Sequence, residues 1–557
     1  MKPIYTSPVI LALALLALPA GAQTQQQSTQ VKDTTVNRTV VVEQTYTPIL
    51  QDASKINVLP QVEAPTVSQK EVEYATTWAP ASQFSVPYLK AYPGKEQPAA
   101  TLPGFIRAGY GNYGNIDLLG SYLFRPGDKD RLGVSLRMEG MNGELTDTKD
   151  RDWDAYSYHT RANVDYTHLF RRVDLNVAGN FGLNNFNLLP GSEGKQKFTS
   201  GDMHLGVQST DETLPLQFSV ETNLLRYSRQ RNDFFGTGGG TDETAIRTHA
   251  LVSGAINDEQ RIALDVTMNN LFYHEDSAID HTAVFSNRTL VDLRPHYTLA
   301  TDDWQLRLGA HVDLSFGAGK AVRIAPDVEA VYRFANTYLL YVQATGGRQL
   351  NDLRRLEQLH PYALYSAPIA DGYEQVLARI GFKASPAPGL WLNIFGGYQC
   401  LKDDLVPVEQ QSTQDAAIRW ADYTCVSKTD NFYAGVQASY TYKDCFTLSA
   451  DGVYTHWKAD TDAALLQKPQ SYIALSVEGR PTRALRLNAS YRYTQWAYSG
   501  TGSQPALHQL SAGASYTVFR HISLYTRVNN LLNKRCQSYY LLPTQGTNFV
   551  GGLSFQF

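Results

Sequence analysis

Trp304-Gln305-Leu306-Arg307-Leu308-Gly309-Ala310-His311-Val312-Asp313-Leu314 alternates without a break. Trp304, Leu306, Leu308, Ala310, Val312 and Leu314 fall on one side, and Gln305, Arg307, Gly309, His311 and Asp313 on the other. Successive side chains of an extended chain point to opposite faces, so a period of two describes a strand with one apolar and one polar face. Arg261–Asn269 repeats the pattern, with Ile262, Leu264, Val266 and Met268 against Arg261, Asp265, Thr267 and Asn269. So does Leu485–Thr494, where Arg486 and Arg492 share the polar face. From Gly104 to Phe557 about 22 such segments follow one another.

A soluble sandwich also alternates, with its polar faces turned to water. The connections decide against it. Short ones (Phe170-Arg171-Arg172, Asn257-Asp258-Glu259, Thr301-Asp302-Asp303, Lys443-Asp444, Phe519-Arg520-His521) alternate with long ones at about 142–153, 185–196, 230–243, 273–286, 350–371 and 403–429. A barrel crossing an outer membrane has short periplasmic turns, longer external loops and aromatic girdles. Tyr332, Phe334, Tyr338, Tyr440, Tyr442, Trp457 and Trp496 stand at segment ends, where girdles belong. An even count returns both ends of the sheet to one rim. The expected fold is an all-β transmembrane antiparallel barrel of about 22 strands over residues 103–557. Arg419–Cys425 is either a further strand or external loop, and Pro326 falls mid-strand, where it costs a ladder hydrogen bond.

Composition fits this reading. Of 557 residues 43% are hydrophobic and only 18% charged, and 34 Tyr, 22 Phe and 7 Trp are too many for a disordered chain. A net charge of −4 leaves no basic footprint for nucleic acid. Four Cys exclude a disulfide scaffold and a cysteine-rich metal module. Mean hydropathy of −0.32 excludes only a helical membrane protein, because half of every barrel strand faces water.

Residues 1–22 carry Lys2, the apolar run Val9–Leu18 and the small residues Ala20-Gly21-Ala22, which read as a secretory signal peptide. Residues 23–102 are rich in Gln, Thr, Val and Pro, hold six prolines between Pro48 and Pro93, and have no glycine before Gly94. They read as an extended periplasmic segment rather than a packed domain.

The last segment, Phe549-Val550-Gly551-Gly552-Leu553-Ser554-Phe555-Gln556-Phe557, ends on Phe and places Phe549, Leu553, Phe555 and Phe557 on one face. It resembles the final strand of bacterial outer-membrane barrels, which implies recognition by the barrel-assembly machinery. Leu524–Lys534 is similar to the NLF-D-K stretch before the last strand of TonB-dependent receptors, with Leu532 and Asn533 in place of Phe and Asp. Tyr46-Thr47-Pro48 and Ala53-Ser54-Lys55-Ile56 resemble leader segments of a plugless TonB-receptor-like group of Bacteroidetes. These resemblances imply an outer-membrane location in a Gram-negative cell and a part in solute transport. They also expose a departure, since residues 23–102 are too few for the family's plug domain and lack its glycine-punctuated pattern. A barrel this wide needs filling or leaks. Three outcomes stay open: an empty lumen, inward-folded loops, or filling by the N-terminal segment or by another protein.

Arg307, His311, Asp313, Arg486, Arg492 and Arg527 are candidate pore-lining residues. Rings of like charge select solutes, but both signs occur, which favours a solvated lumen paired across strands. Loop 350–371, with Arg354, Arg355, His360, Tyr362 and Tyr365, either binds ligand or caps the pore. Cys400 and Cys425 are candidates for a disulfide outside the cell. No Gly-x-Ser-x-Gly nucleophile accompanies the 12 His, so no enzyme is expected. No residue spacing calls for a metal or cofactor. The alternative to transport is a barrel that scaffolds an envelope complex with periplasmic or surface lipoprotein partners.

Overall fold

The computed structural model describes residues 102–146, 152–187, 194–211, 214–232, 239–275, 284–335, 337–365, 367–411, 419–443, 445–500, 504–539 and 542–557. The leader and nearly all of the N-terminal segment lie outside the described residues. Twenty-two strands form one closed antiparallel barrel, each paired with its neighbours in chain order. The first, Gly104–Gly111, closes the ring against the last, Asn548–Gln556. At that seam Gly104 N donates to Phe557 O at 2.8 Å and Phe557 N to Gly104 O at 3.0 Å. Closure removes both sheet edges, which an open sheet of this length would leave unpaired.

The alternation sorts side chains to the two faces. Leu308, Ile324, Val342, Ile380, Ile394 and Val436 lie on six consecutive strands, and all are exposed on the outer face. An apolar belt on a closed barrel is the face that hydrocarbon covers. At the short-turn rim Trp304, Tyr332, Phe334, Tyr338 and Phe382 run side by side, with successive ring centroids 4.6–5.8 Å apart. Phe555 stacks on Phe557 at 5.3 Å, and Phe557 lies 5.9 Å from Tyr122 across the seam. Trp457 and Trp496 depart from the girdle expectation. Trp496 is buried, and Trp457 donates its indole N–H to Pro469 O at 2.8 Å on the face that carries Thr455.

The expected segments match the 22 strands closely, but the long connections are shorter than expected because the ladder climbs past the apolar belt. Asp130–Thr146 and Asp152–Leu169 stay paired up to Thr146 opposite Asp152. The largest extension is Leu390–Gln411 with Arg419–Tyr442, paired from Leu390–Tyr440 to Gln411–Arg419. Arg419–Cys425 is therefore neither a separate strand nor a loop. Pro326 keeps register with Ala310, and no bulge forms there. The ladder on its other side stops at Asp327–Thr345, one residue before the missing N–H would be needed.

Two positions near the seam fix backbone shape. Asn530 and Asn533 adopt left-handed φ of 49° and 47°. Asn530 Oδ1 accepts from Lys534 N at 3.1 Å, and Asn533 Oδ1 accepts from Thr547 N at 3.1 Å. Asparagine tolerates this region and supplies the local hydrogen bonds, which accounts for its place in the Leu524–Lys534 stretch.

Candidate functional site

The connection between Tyr338–Gln349 and Gly372–Ala387 turns into the barrel rather than away from it. It carries a helix, Leu353–Leu359, whose N-cap Asp352 accepts from Arg355 N at 2.8 Å. Leu353 and Leu356, one turn apart, are fully buried. They pack with Tyr362, Tyr365 and Ile369 of the same loop against Phe186, Phe198, Tyr227 and Tyr423 from the wall. Phe186 belongs to Val173–Asn187, the fifth strand, whereas the loop leaves from the thirteenth. Seven of the 22 strands lie between the two, so the helix crosses the mouth at the long-loop rim.

Polar anchors hold it from several directions. Arg229, buried in the wall, donates to Ala363 O at 2.8 Å and to the Tyr365 hydroxyl, and its guanidinium lies 4.1 Å from the Tyr365 ring centroid. Arg247 pairs with Asp352. Glu243 accepts from Leu353 N at 2.9 Å. Arg288 clamps Asp371 with two bonds of 3.0 and 2.9 Å. The tall hairpin supplies a further edge: Leu364 N donates to Ala421 O at 2.9 Å, Tyr423 N to Leu364 O at 3.1 Å, and the Tyr423 hydroxyl to Leu356 O at 2.7 Å. Tyr539, from the last long connection, meets His360 and Tyr362 at 5.4 and 6.2 Å. Glu357 is half-buried on the helix and accepts from Asn184 and Tyr227. Burial pushes its carboxyl up to about 7, opposed by Asn184 and the Arg161 charge. Burial also raises the Tyr362 hydroxyl and lowers Arg355.

Of the three outcomes left open by the sequence, the described residues display an inward-folded loop. The N-capped helix with Leu353 and Leu356 on one side was the signal for it. Asp352, Glu357, Arg229 and Arg288, which anchor the loop to the wall, are residues that sequence reasoning missed.

The register carries one face around the wall, and Arg307, His311, Asp313, Arg486, Arg492 and Arg527 all share the face that bears Arg247, the lumen face. Their charges are interleaved rather than grouped by sign. Arg307 pairs with Asp327 at 2.8 Å, and His311 lies 3.2 Å from Asp313. Phe549, Leu553, Phe555 and Phe557 are exposed on the outer face. The Cys400–Cys425 disulfide is not formed. Cys400 stands opposite Asp430 and Cys425 opposite Leu405, five rungs apart on one hairpin, and both thiols are free. At about 3.4 Å per residue that separation is beyond a disulfide's reach.

No family model and no curated protein matches the sequence. Solved structures match the fold. The copper transporter OprC aligns at 13% identity and a TM-score of 0.61, over 82% of this chain and 81% of its own. The FrpB iron transporter of Neisseria meningitidis (F5-1 variant, apoprotein form) aligns at 12% and 0.65, again over 82% and 81%. The siderophore receptor PirA of Acinetobacter baumannii aligns at 8% and 0.63, over 82% and 80%. With its closed sheet, its strand number and these likenesses, the chain has the barrel fold of TonB-dependent outer-membrane receptors.

Proposed function

We propose that this protein is a TonB-receptor-like outer-membrane barrel of a Gram-negative cell, that it takes part in moving a solute across that membrane, and that loop 350–371 is its gate. The carrying observation is the helix Leu353–Leu359 seated in the mouth. In this reading the long-loop rim faces outward and the short-turn rim faces the periplasm. Residues 1–22 are removed on export, and residues 23–102 extend into the periplasm as the N-terminal segment of a plugless, Bacteroidetes-type barrel. The assembly machinery reads Phe549, Leu553, Phe555 and Phe557. No reaction is assigned to the chain. The transported cargo of the structural neighbours supports a transport role without naming this chain's solute.

The same cap favours a second reading. A mouth shut by packed aromatic side chains suits a scaffold whose rim receives a surface or periplasmic lipoprotein. Planar-bilayer conductance separates the two. The full chain is compared with a variant in which residues 353–369 are replaced by a short Gly-Ser link, and with one lacking 23–102. Transport predicts rare openings in the full chain and large stable ones after loop replacement. Silence in all three, together with co-purifying envelope proteins, would favour the scaffold.

A further inference from the structure

Gly346 and Arg348, where the wall leads into the cap loop, meet a cluster built on two other strands. Asp292 of Arg288–Ala300 and Asp313 of Trp304–Phe316 are directly opposed in the ladder. His311 lies one rung away on the same face. Its Nδ1 is 2.7 Å from the Gly346 carbonyl. A carbonyl only accepts, so Nδ1 carries the proton and Nε2 presents a lone pair. That lone pair lies 3.2 Å from Asp313 Oδ1. Asp313 is fully buried, neither of its oxygens has a hydrogen bond of good geometry among the described residues, and the groups that face it are His311, Asp292 and the Tyr373 hydroxyl. Two carboxylates and an imidazole thus converge in a buried space where no guanidinium hydrogen-bonds to Asp313 itself, and a buried carboxylate without a well-made partner is costly.

We infer that Asp292, His311 and Asp313 form a binding site for a divalent first-row metal ion in the lumen wall. One donor atom from each lies within 4.8 Å of the others. A cation about 2.0–2.2 Å from each donor needs donors at most roughly 4.4 Å apart, so small side-chain rotations bring the three to coordinating distance. Two carboxylate oxygens with one imidazole nitrogen suit Zn²⁺, Mn²⁺ or Fe²⁺ better than Ca²⁺, which takes six or more oxygens. Gly347 belongs to the site. It has φ of 138°, and a Cβ there would fall 2.1 Å from His311 Nδ1, so only glycine lets the ring sit as it does. Two guanidiniums flank the cluster and compete with the ion. Arg294 Nε donates to His311 Nε2 at 3.1 Å, and Arg348 Nε to Asp292 Oδ1 at 3.3 Å. Metal entry displaces Arg294 from Nε2. Arg348 also reaches Asp371 at 4.0 Å, so the ion binds at the root of the cap. The inference does not depend on whether the barrel conducts.

The test is metal uptake by the full chain, stripped with EDTA in detergent and titrated with Zn²⁺ and then Mn²⁺. The expected result is one equivalent per chain, with affinity at least tenfold weaker in Asp313→Asn and in His311→Gln. Arg294→Gln, which frees Nε2, is expected to bind severalfold more tightly. Loaded with Co²⁺, the native chain shows a visible absorption band that His311→Gln alters. Heat-shift electrophoresis verifies that each variant is a folded barrel. Absence of uptake by the native chain overturns the proposal, and so does uptake undiminished in both ligand variants. A proton shared by Asp292 and Asp313 would then account for the pair.

Discussion

Arg229 shows how one side chain can hold a cap in place. It is buried, donates to a backbone carbonyl and a hydroxyl of the loop, and lies over the Tyr365 ring. Each hydrogen bond from a charged donor contributes about 1.5–3 kcal/mol. Arg229→Ala is therefore expected to weaken docking of residues 353–369 by about 3 kcal/mol, seen as faster amide exchange confined to that segment. Glu357 makes docking depend on pH. Partial desolvation in the docked loop raises its carboxyl from 4.5 to about 7, so the docked state holds its proton more tightly than the undocked one. Docking is strongest below pH 4.5 and weakens as pH rises through about 7, by about 3 kcal/mol in all. Amide exchange of the loop from pH 4 to 8 is expected to follow this slope, and Glu357→Gln to flatten it. An exchange rate that keeps its slope in Glu357→Gln would assign the dependence to another group.

Among the elements, the tall hairpin Leu390–Gln411 with Arg419–Tyr442 is where sequence and structure part. The alternation of Leu390 to Cys400 is legible because one face meets hydrocarbon and the other water. Above the belt both faces meet protein or water, so residues such as Asp404 and Asp422 no longer mark a strand, although the ladder continues. The 22 strands could be read from the alternating pattern for the same reason that this extension could not. Loop 350–371, with Arg354 to Tyr365, was legible as either a ligand site or a cap, but its docking partners were not. Its partners come from strands three to eight positions away, and no local period encodes that pairing. The hairpin's upper rungs support the loop through Ala421 and Tyr423. Excising residues 404–426 and rejoining the strands with a short turn is expected to leave the barrel folded while making the cap loop protease-sensitive. A loop as resistant as in the full chain would show that the wall anchors suffice alone.

For the whole molecule, a buried polar cluster ties the barrel together where the ring closes. Arg107 donates to Asp117 at 2.9 Å, and Tyr525 donates to the other Asp117 oxygen at 3.1 Å, with Arg107 lying 5.5 Å from the Tyr525 ring centroid. All three are buried, and they link the first two strands to Ile522–Asn529 across the closing strand. Asp117→Ala leaves a buried guanidinium without its anion, at a cost of about 3–5 kcal/mol. The expected readout is a lower urea midpoint for loss of the heat-modifiable form, with the cap's exchange unchanged while the barrel is folded. Closure also sets an order of events. Phe549 N donates to Asn112 Oδ1 across 437 residues of chain, so until the last strand pairs with the first the sheet carries two raw edges. Pairings over such separations form slowly, and exposed edges recruit other chains in the interval. A polypeptide of this design is therefore born unfinished at both ends, and how many copies mature depends on what shields the first strand until the last one meets it.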